Sequence, residues 1–274
     1  MDPSVQELIK NALREDLGAG DVTSDATIRR ESASIAVMLA KQDLVLAGLD
    51  AAQAVFHQLD PDIQFTPAAK DGERINAGTE LARLSGNTKS LLAGERVALN
   101  LLQQLSGIAT LTAKYVEKIL GTKAQVLDTR KTHPGLRQLE KYAVRMGGGM
   151  NHRMGLYDMV LIKDNHIKAA GSIARAAESA KRKAGHLKIE VETGSLEEVR
   201  EALAAKVDIV MLDNMPLETM AEAVKMINGQ ALVEASGNVT LETIRAIAET
   251  GVDFISCGSL THSAPAADIS MKIK

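Results

Sequence analysis

The sequence predicts an α/β protein in two parts: a mixed α/β domain over residues 1–107 and a parallel α/β barrel, left incomplete, over residues 108–265. Three observations carry this. From residue 124 onward, short apolar runs alternate strictly with helical stretches, the signature of parallel βαβ units. Upstream, helices mix instead with short alternating runs framed by glycine. The tail ADISMKIK (267–274) alternates with period two and is expected to return to the N-terminal sheet, so residues 266–274 are grouped with the first domain.

The chain opens with a helix, on which Ser4 and Glu7 make a capping box and Val5, Leu8, Ile9, Ala12 and Leu13 share one face. EDLGAGDVTSDATI (15–28) reads as a polar loop. Strand-like runs follow at SIAVMLA (34–40) and DLVLAG (43–48), then a helix from Asp50 to Leu59. In GERINAGTELARLSG (72–86) three glycines frame short apolar alternations, as in compact β-rich sheets. A lipoyl or biotinyl domain has this rhythm, but no modifiable lysine stands at a hairpin tip. A long helix is expected over 90–118.

In the second part, strands are expected at 124–129, 158–163, 187–192, 207–213, 231–236 and 252–258, with helices at 136–146, 172–184, 195–205, 216–227 and 240–250. Ser195 and Glu198 make a second capping box. Six such strands fall short of the eight of a closed barrel.

Composition narrows the function classes. A net charge of −3 and a sequence with 2% aromatics and no Trp argue against nucleic acid as a partner. No apolar run reaches 18 residues and no signal-peptide pattern opens the chain, so neither a membrane span nor secretion is expected. Cys257 is the single cysteine, which excludes an internal disulfide and a cysteine-based zinc site and fits the cytoplasm.

Charge is concentrated locally. From Arg130 to Lys168 stand eight Lys/Arg against three Asp/Glu, with three of the six histidines. The expected strands exit into Thr129-Arg130-Lys131, Lys163-Asp164, Glu192, Asp213-Asn214, Ser236-Gly237-Asn238 and Cys257-Gly258-Ser259. Parallel barrels draw catalytic groups from these ends. Lys163, Glu192 and Asp213 each close an apolar run, and such charges are costly to bury unless they face a ligand, a metal or one another. SGN (236–238) and CGSL (257–260) are small and glycine-bearing, which lets backbone N–H groups approach a phosphate. Glu192 and Asp213 are candidates for Mg²⁺ through water and substrate oxygens; alternatively they are salt-bridged to Lys163 or Lys131. Arg130, Lys131, Arg153, Lys163 and His152 supply a cationic wall. His133 and His166 read as structural, and three glycines in MGGGMNHRM (146–154) permit motion and close backbone approach. No nucleophile stands beside a base, so covalent catalysis lacks a candidate.

The segments EDLGAGDVTS, GERVALNLLQQLSGIAT, DTRKTHPGLRQLEKYAVRMGGGMNHRMGLYDMVLIKDNHI, IEVE, DIVMLDNM, EASGN and CGSLTHS resemble the quinolinate phosphoribosyltransferases, the decarboxylating nicotinate-nucleotide pyrophosphorylases of NAD biosynthesis. The likeness covers nearly the whole chain, and the DTRKT…HR…KDNH series is highly specific. It implies a mixed N-terminal α/β sandwich domain followed by an open, incomplete parallel α/β barrel. It implies transfer of phosphoribose from phosphoribosyl pyrophosphate to the quinolinate nitrogen, with loss of the 2-carboxylate as CO₂. By resemblance, Arg130, His152, Arg153 and Lys163 clamp the quinolinate carboxylates, and Arg96 enters from a partner subunit of a homodimer, or of a larger assembly built from dimers. Lys131, Glu192 and Asp213 handle pyrophosphate and Mg²⁺, Ser236, Gly237, Asn238, Gly258, Ser259 and Leu260 take the 5′-phosphate, and Thr129 is a further substrate-binding residue.

Three other readings compete. A paralogue of the same fold acting on another base would not need the intact carboxylate clamp. A sugar-phosphate aldolase or isomerase would not need this many arginines. A non-catalytic binding protein leaves the Glu192/Asp213 pair unexplained.

Overall fold

The computed structural model describes residues 2–274. In chain order the elements are α1 (Pro3–Leu17), α2 (Val22–Thr27), β1 (Ala33–Ala40), β2 (Leu44–Val45), α3 (Leu49–Leu59), β3 (Gln64–Pro67), β4 (Arg74–Ile75), β5 (Glu80–Asn87) and α4 (Thr88–Lys118). They continue with β6 (Gln125–Leu127), α5 (Arg137–Met146), β7 (Val160–Ile162), α6 (Asp164–Ala170), α7 (Ile173–Ala184), β8 (Ile189–Thr193), α8 (Leu196–Ala204) and β9 (Ile209–Asp213). Last come α9 (Leu217–Ile227), β10 (Leu232–Ser236), α10 (Ile244–Glu249), β11 (Phe254–Ser256), α11 (Ser259–His262) and β12 (Ile269–Ile273). Among the described residues no helix is long and apolar enough to cross a membrane.

The chain forms two compact units. One comprises residues 1–113, 132–148 and 260–274; the other comprises 114–131 and 149–259. The first unit therefore runs past residue 107, where sequence places the boundary, and takes in α5. Its main sheet has the order β12–β1–β5–β3, and the tail strand pairs antiparallel with β1 from Ala36↔Ile273 to Ala40↔Ile269. Phe56 of α3 is fully buried with Ile63, Leu81, Leu84, Leu91, Leu102 and Leu105, the core of this unit. Gly147 follows α5 where a Cβ would lie 2.4 Å from the Ala109 carbonyl oxygen and 2.6 Å from the Thr112 side chain. In the glycine run the sequence allowed motion or close approach; here the first glycine serves close approach.

Two local readings change. Helix α1 is capped by Asp2, whose carboxylate accepts the Ser4 N–H at 2.8 Å, not by the Ser4/Glu7 box. Pro3 at the first helical position lacks an N–H to satisfy, and Asp2 then has the better placed oxygen. The loop expected over 15–28 contains α2, capped by the Asp21 carboxylate on the Thr23 and Ser24 N–H groups. Sequence also passed over the short β3, α6 and α11, each under eight residues and so carrying little periodicity.

The second unit holds a six-stranded parallel sheet in the order β6–β11–β10–β9–β8–β7. Its edges β6 and β7 do not pair with each other among the described residues, so the expected incomplete barrel is open. Apart from α6, its helices lie where the 3.6-residue pattern put them, within a few residues. Ser195 caps α8 by accepting the Glu198 N–H, but the Glu198 carboxylate takes the Gly194 N–H instead of closing the box. Asp208 and Asp253, just before β9 and β11, accept the Ile189 and Val233 N–H groups of neighbouring strands and fix the register.

Candidate active site

Register decides which side chains share the inner face. Leu161 pairs with Glu190, Glu190 with Ile209, and Ile209 with Leu232. Two residues further along, Met211 lies between Glu192 and Glu234, and beyond it Asp213 faces Ser236. Side chains alternate across a strand. Glu190, Glu192, Met211, Asp213, Glu234 and Ser236 therefore point to one side, in rows from the interior to the strand ends.

At those ends opens a cavity of about 580 Å³. It is lined by Thr129, Arg130 and Lys131 after β6, His152 and Arg153, Lys163 after β7, Glu192, Asp213, and Ser236, Gly237 and Asn238. Leu161, Met211, Asn214, Glu234 and Ser256 complete the wall. Eleven of the fifteen residues given a substrate or metal role from sequence thus converge in one place, while Gly258, Ser259 and Leu260 are not part of the lining and Leu260 is fully buried. Arg96 is an exposed residue of α4 in the first unit.

The loop exits are held by named bonds. Asn214, at φ 53°, accepts from Asn238 Nδ2 at 3.0 Å and donates to Asp213 Oδ2 at 2.9 Å. Its N–H reaches the Ser236 carbonyl at 2.8 Å. Gly237, at φ 96°, sits where a Cβ would lie 2.1 Å from Asn214 Oδ1. Only glycine lets these two exits come together.

Lys163 Nζ pairs with Glu192 Oε2 at 2.7 Å, so the alternative left open by sequence, a carboxylate bridged to Lys163, is what the structure holds at that position. The Lys163 N–H is accepted by His166 Nδ1 at 3.0 Å, and His133 stands against the buried Glu140, both structural uses. Arg130 Nε is buried with no hydrogen-bond partner. Burial and then the neighbouring Arg130 hold the Arg153 guanidinium below its usual pKa; Glu190 and Asp158 oppose this.

Beneath the mouth lies a group that sequence reasoning missed. His152 Nε2 is 3.0 Å from Glu190 Oε2 and 3.5 Å from Glu234 Oε2, and both glutamates are almost fully buried. His152 Nδ1 accepts the Arg153 N–H at 2.8 Å, which puts the ring proton on Nε2, toward the carboxylates. Asp128, fully buried, accepts the His152 N–H at 2.9 Å and the Asn151 side-chain amide at 2.5 Å. Burial pushes Glu190 up to about 7, and burial together with Glu190 pushes Glu234 up to about 8. A pair so placed keeps a proton at neutral pH. The available signal was Glu190 and Glu234 inside the apolar runs KIEVE and LVEAS, in phase with Glu192 and Ser236.

Residues 21–106 match the family model of the quinolinate phosphoribosyl transferase N-terminal domain, and residues 108–272 match that of the C-terminal domain. A Synechocystis protein described as a probable nicotinate-nucleotide pyrophosphorylase (carboxylating) is 50% identical, the match covering 100% of this chain and 92% of that one. Its Bacillus subtilis counterpart is 46% identical, covering 98% and 93%. A crystal structure of NadC from Streptococcus pyogenes superposes with a TM-score of 0.96 at 44% identity, over 100% of this chain and 98% of that one. Fold, strand-end chemistry and likeness over the full length agree, and the chain belongs to the quinolinate phosphoribosyltransferase family.

Proposed function

We propose that the cationic mouth at the strand ends is where this chain carries out the family reaction. The chain is a decarboxylating quinolinate phosphoribosyltransferase of NAD biosynthesis: it transfers phosphoribose from phosphoribosyl pyrophosphate to quinolinate, giving nicotinate mononucleotide, CO₂ and pyrophosphate. The observation that carries the site assignment is one cavity in which Arg130, Lys131, Arg153 and Lys163 face Glu192 and Asp213, with the 236–238 turn alongside. A dicarboxylate fits the cations, and a phosphate fits the turn.

In this reading Arg130, Arg153 and Lys163, with His152, clamp the two carboxylates and aim the ring nitrogen at the anomeric carbon. The nitrogen–carbon bond forms as the carbon–oxygen bond to pyrophosphate breaks, through an oxocarbenium-like state. Lys131, which lines the same cavity, neutralises the departing pyrophosphate. The 2-carboxylate then leaves as CO₂, its electron pair stays on ring carbon 2 beside the cationic nitrogen, and that carbon takes up a proton. Positioning and charge neutralisation account for the protein's share.

Glu192 and Asp213 are hard oxygen donors on one face of neighbouring strands, and two carboxylates suit Mg²⁺, which keeps water and substrate oxygens in its shell. They would hold the ion, which would supply charge stabilisation for the pyrophosphate. A homodimer, or an assembly built from dimers, with Arg96 of one copy entering the other's mouth, accounts for an exposed arginine on α4 within the resemblance-bearing GERVALN. The single cysteine fits a cytoplasmic setting.

The test is direct. With quinolinate, phosphoribosyl pyrophosphate and Mg²⁺ the chain forms nicotinate mononucleotide and CO₂ in equal amounts. No product, or nicotinate used as efficiently as quinolinate, overturns the reading.

A further inference from the structure

We propose that Glu190 and Glu234 are positioning residues for the quinolinate clamp, acting through the His152 ring on Arg153. The proposal rests on the functional reading above. Its geometry is a chain of contacts running from the interior to the mouth. Glu190 Oε2 and Glu234 Oε2 both face His152 Nε2, at 3.0 and 3.5 Å. The same ring takes the Arg153 N–H on Nδ1 at 2.8 Å, and Arg153 Nη1 is tied to the Met159 carbonyl at 3.2 Å. With Asp128 holding the His152 N–H from below, residue 152 is fixed at its main chain, at Nδ1 and at Nε2.

Two nearly fully buried carboxylates under a substrate site call for a reason, since an uncompensated buried charge is strongly destabilising. Each also has one buried oxygen, Glu190 Oε1 and Glu234 Oε1, with no hydrogen-bond partner. His152, Glu190 and Glu234 could together bracket a metal ion. The neighbouring guanidinium of Arg153, and Arg130 beside it, oppose a second cation there. Their joint effect is to set the direction of the imidazole, and through it the height of the Arg153 main chain in the mouth. Displacements on the order of 1 Å in such groups cost about a hundredfold in rate or affinity.

The experiment uses the full chain. In Glu190→Ala the quinolinate KM rises about tenfold or more, while the phosphoribosyl pyrophosphate KM stays within about twofold; Glu190→Gln, whose amide oxygen still accepts from Nε2, recovers most of the loss. Glu190→Asp, which keeps the carboxyl group but withdraws it by one methylene, gives an intermediate rise and serves if the alanine variant does not fold. Adding Glu190→Asp to His152→Ala brings no further rise, because the route through the ring is already gone. An unchanged quinolinate KM in folded variants, equal rises in both KM values, or full additivity with His152→Ala overturns the proposal. So does one equivalent of tightly bound transition metal in the purified chain. A wild-type chain that makes no nicotinate mononucleotide overturns the functional reading instead, so the two failures are distinct.

Discussion

Replacing Glu234 by Gln should change how stability depends on pH. Burial, and next the neighbouring Glu190, raise Glu234 from an ordinary 4.5 to about 8 in the folded chain. The unfolded chain releases that proton near the ordinary value, so between the two the folded state binds more protons than the unfolded one. Stability then falls as pH rises. The contribution is fully present below about pH 4.5 and lost as pH climbs through about 8. At about 1.4 kcal/mol per unit of separation the loss is of the order of 4 kcal/mol by pH 9. Gln cannot ionise and should not lose it. Melting temperatures of both proteins, taken from pH 5 to 9 at constant ionic strength, should diverge, the wild type falling by roughly 10 °C relative to the variant. Parallel curves would mean that Glu234 is ionised throughout, and the picture of a protonated pair under the mouth would be refuted.

Three further outcomes are expected. Lys131→Ala lowers the rate of phosphoribosyl transfer by about a hundredfold and leaves quinolinate affinity within about threefold by calorimetry; severe loss of quinolinate binding would move Lys131 into the clamp. Gly237→Ala forces a Cβ to within 2.1 Å of Asn214 Oδ1 and puts an L side chain at φ 96°, so both exits shift and the phosphoribosyl pyrophosphate KM rises about tenfold or more, while a KM within twofold of wild type would detach this turn from the 5′-phosphate. Mixing Arg96→Ala chains with Lys163→Ala chains restores about a quarter of wild-type activity if each site takes residues from two copies, and no restoration would show that one chain builds each site.

Much of this was legible in sequence because the second unit is repetitive. Each βαβ step announces itself by an apolar run and a polar exit, and the exits placed Thr129 to Lys131, Lys163, Glu192, Asp213 and Ser236 to Asn238 around one cavity. The carboxylates beneath them were passed over for a physical reason. Glu190 and Glu234 sit inside apolar runs, where a charged residue reads as an interruption and not as part of a pattern. Phase was the missing step: Glu190 is two residues before Glu192, and Glu234 two before Ser236, so any argument that turns Glu192 and Ser236 inward turns these inward as well. The Asp2 cap is hidden in sequence because a Ser-x-x-Glu pattern, itself a capping signature, follows directly after Pro3.

The buried acids also bear on why the mouth is so cationic. Arg130 lies close enough to Arg153 to oppose its charge, and one Arg130 nitrogen is buried without a partner. Left alone, such a group would push its members apart or draw in counterions. Asp128, Glu190 and Glu234 supply negative or proton-sharing groups from the protein side, so that the outer face can stay positive for a substrate that brings two carboxylates. Lys163 is treated differently: its partner Glu192 lies in the mouth itself, at 2.7 Å, and competes with any carboxylate ligand for the ammonium. On the proposed reading, the inner carboxylates hold the clamp's shape with no substrate present, while the outer one would exchange its partner as substrates arrive. On this division Glu192→Gln should free Lys163 for the quinolinate carboxylate, tightening quinolinate binding while weakening turnover with phosphoribosyl pyrophosphate. Isothermal titration of quinolinate alone, beside steady-state rates, separates the two effects, and weaker quinolinate binding in that variant would show that Glu192 supports the clamp and does not compete with it.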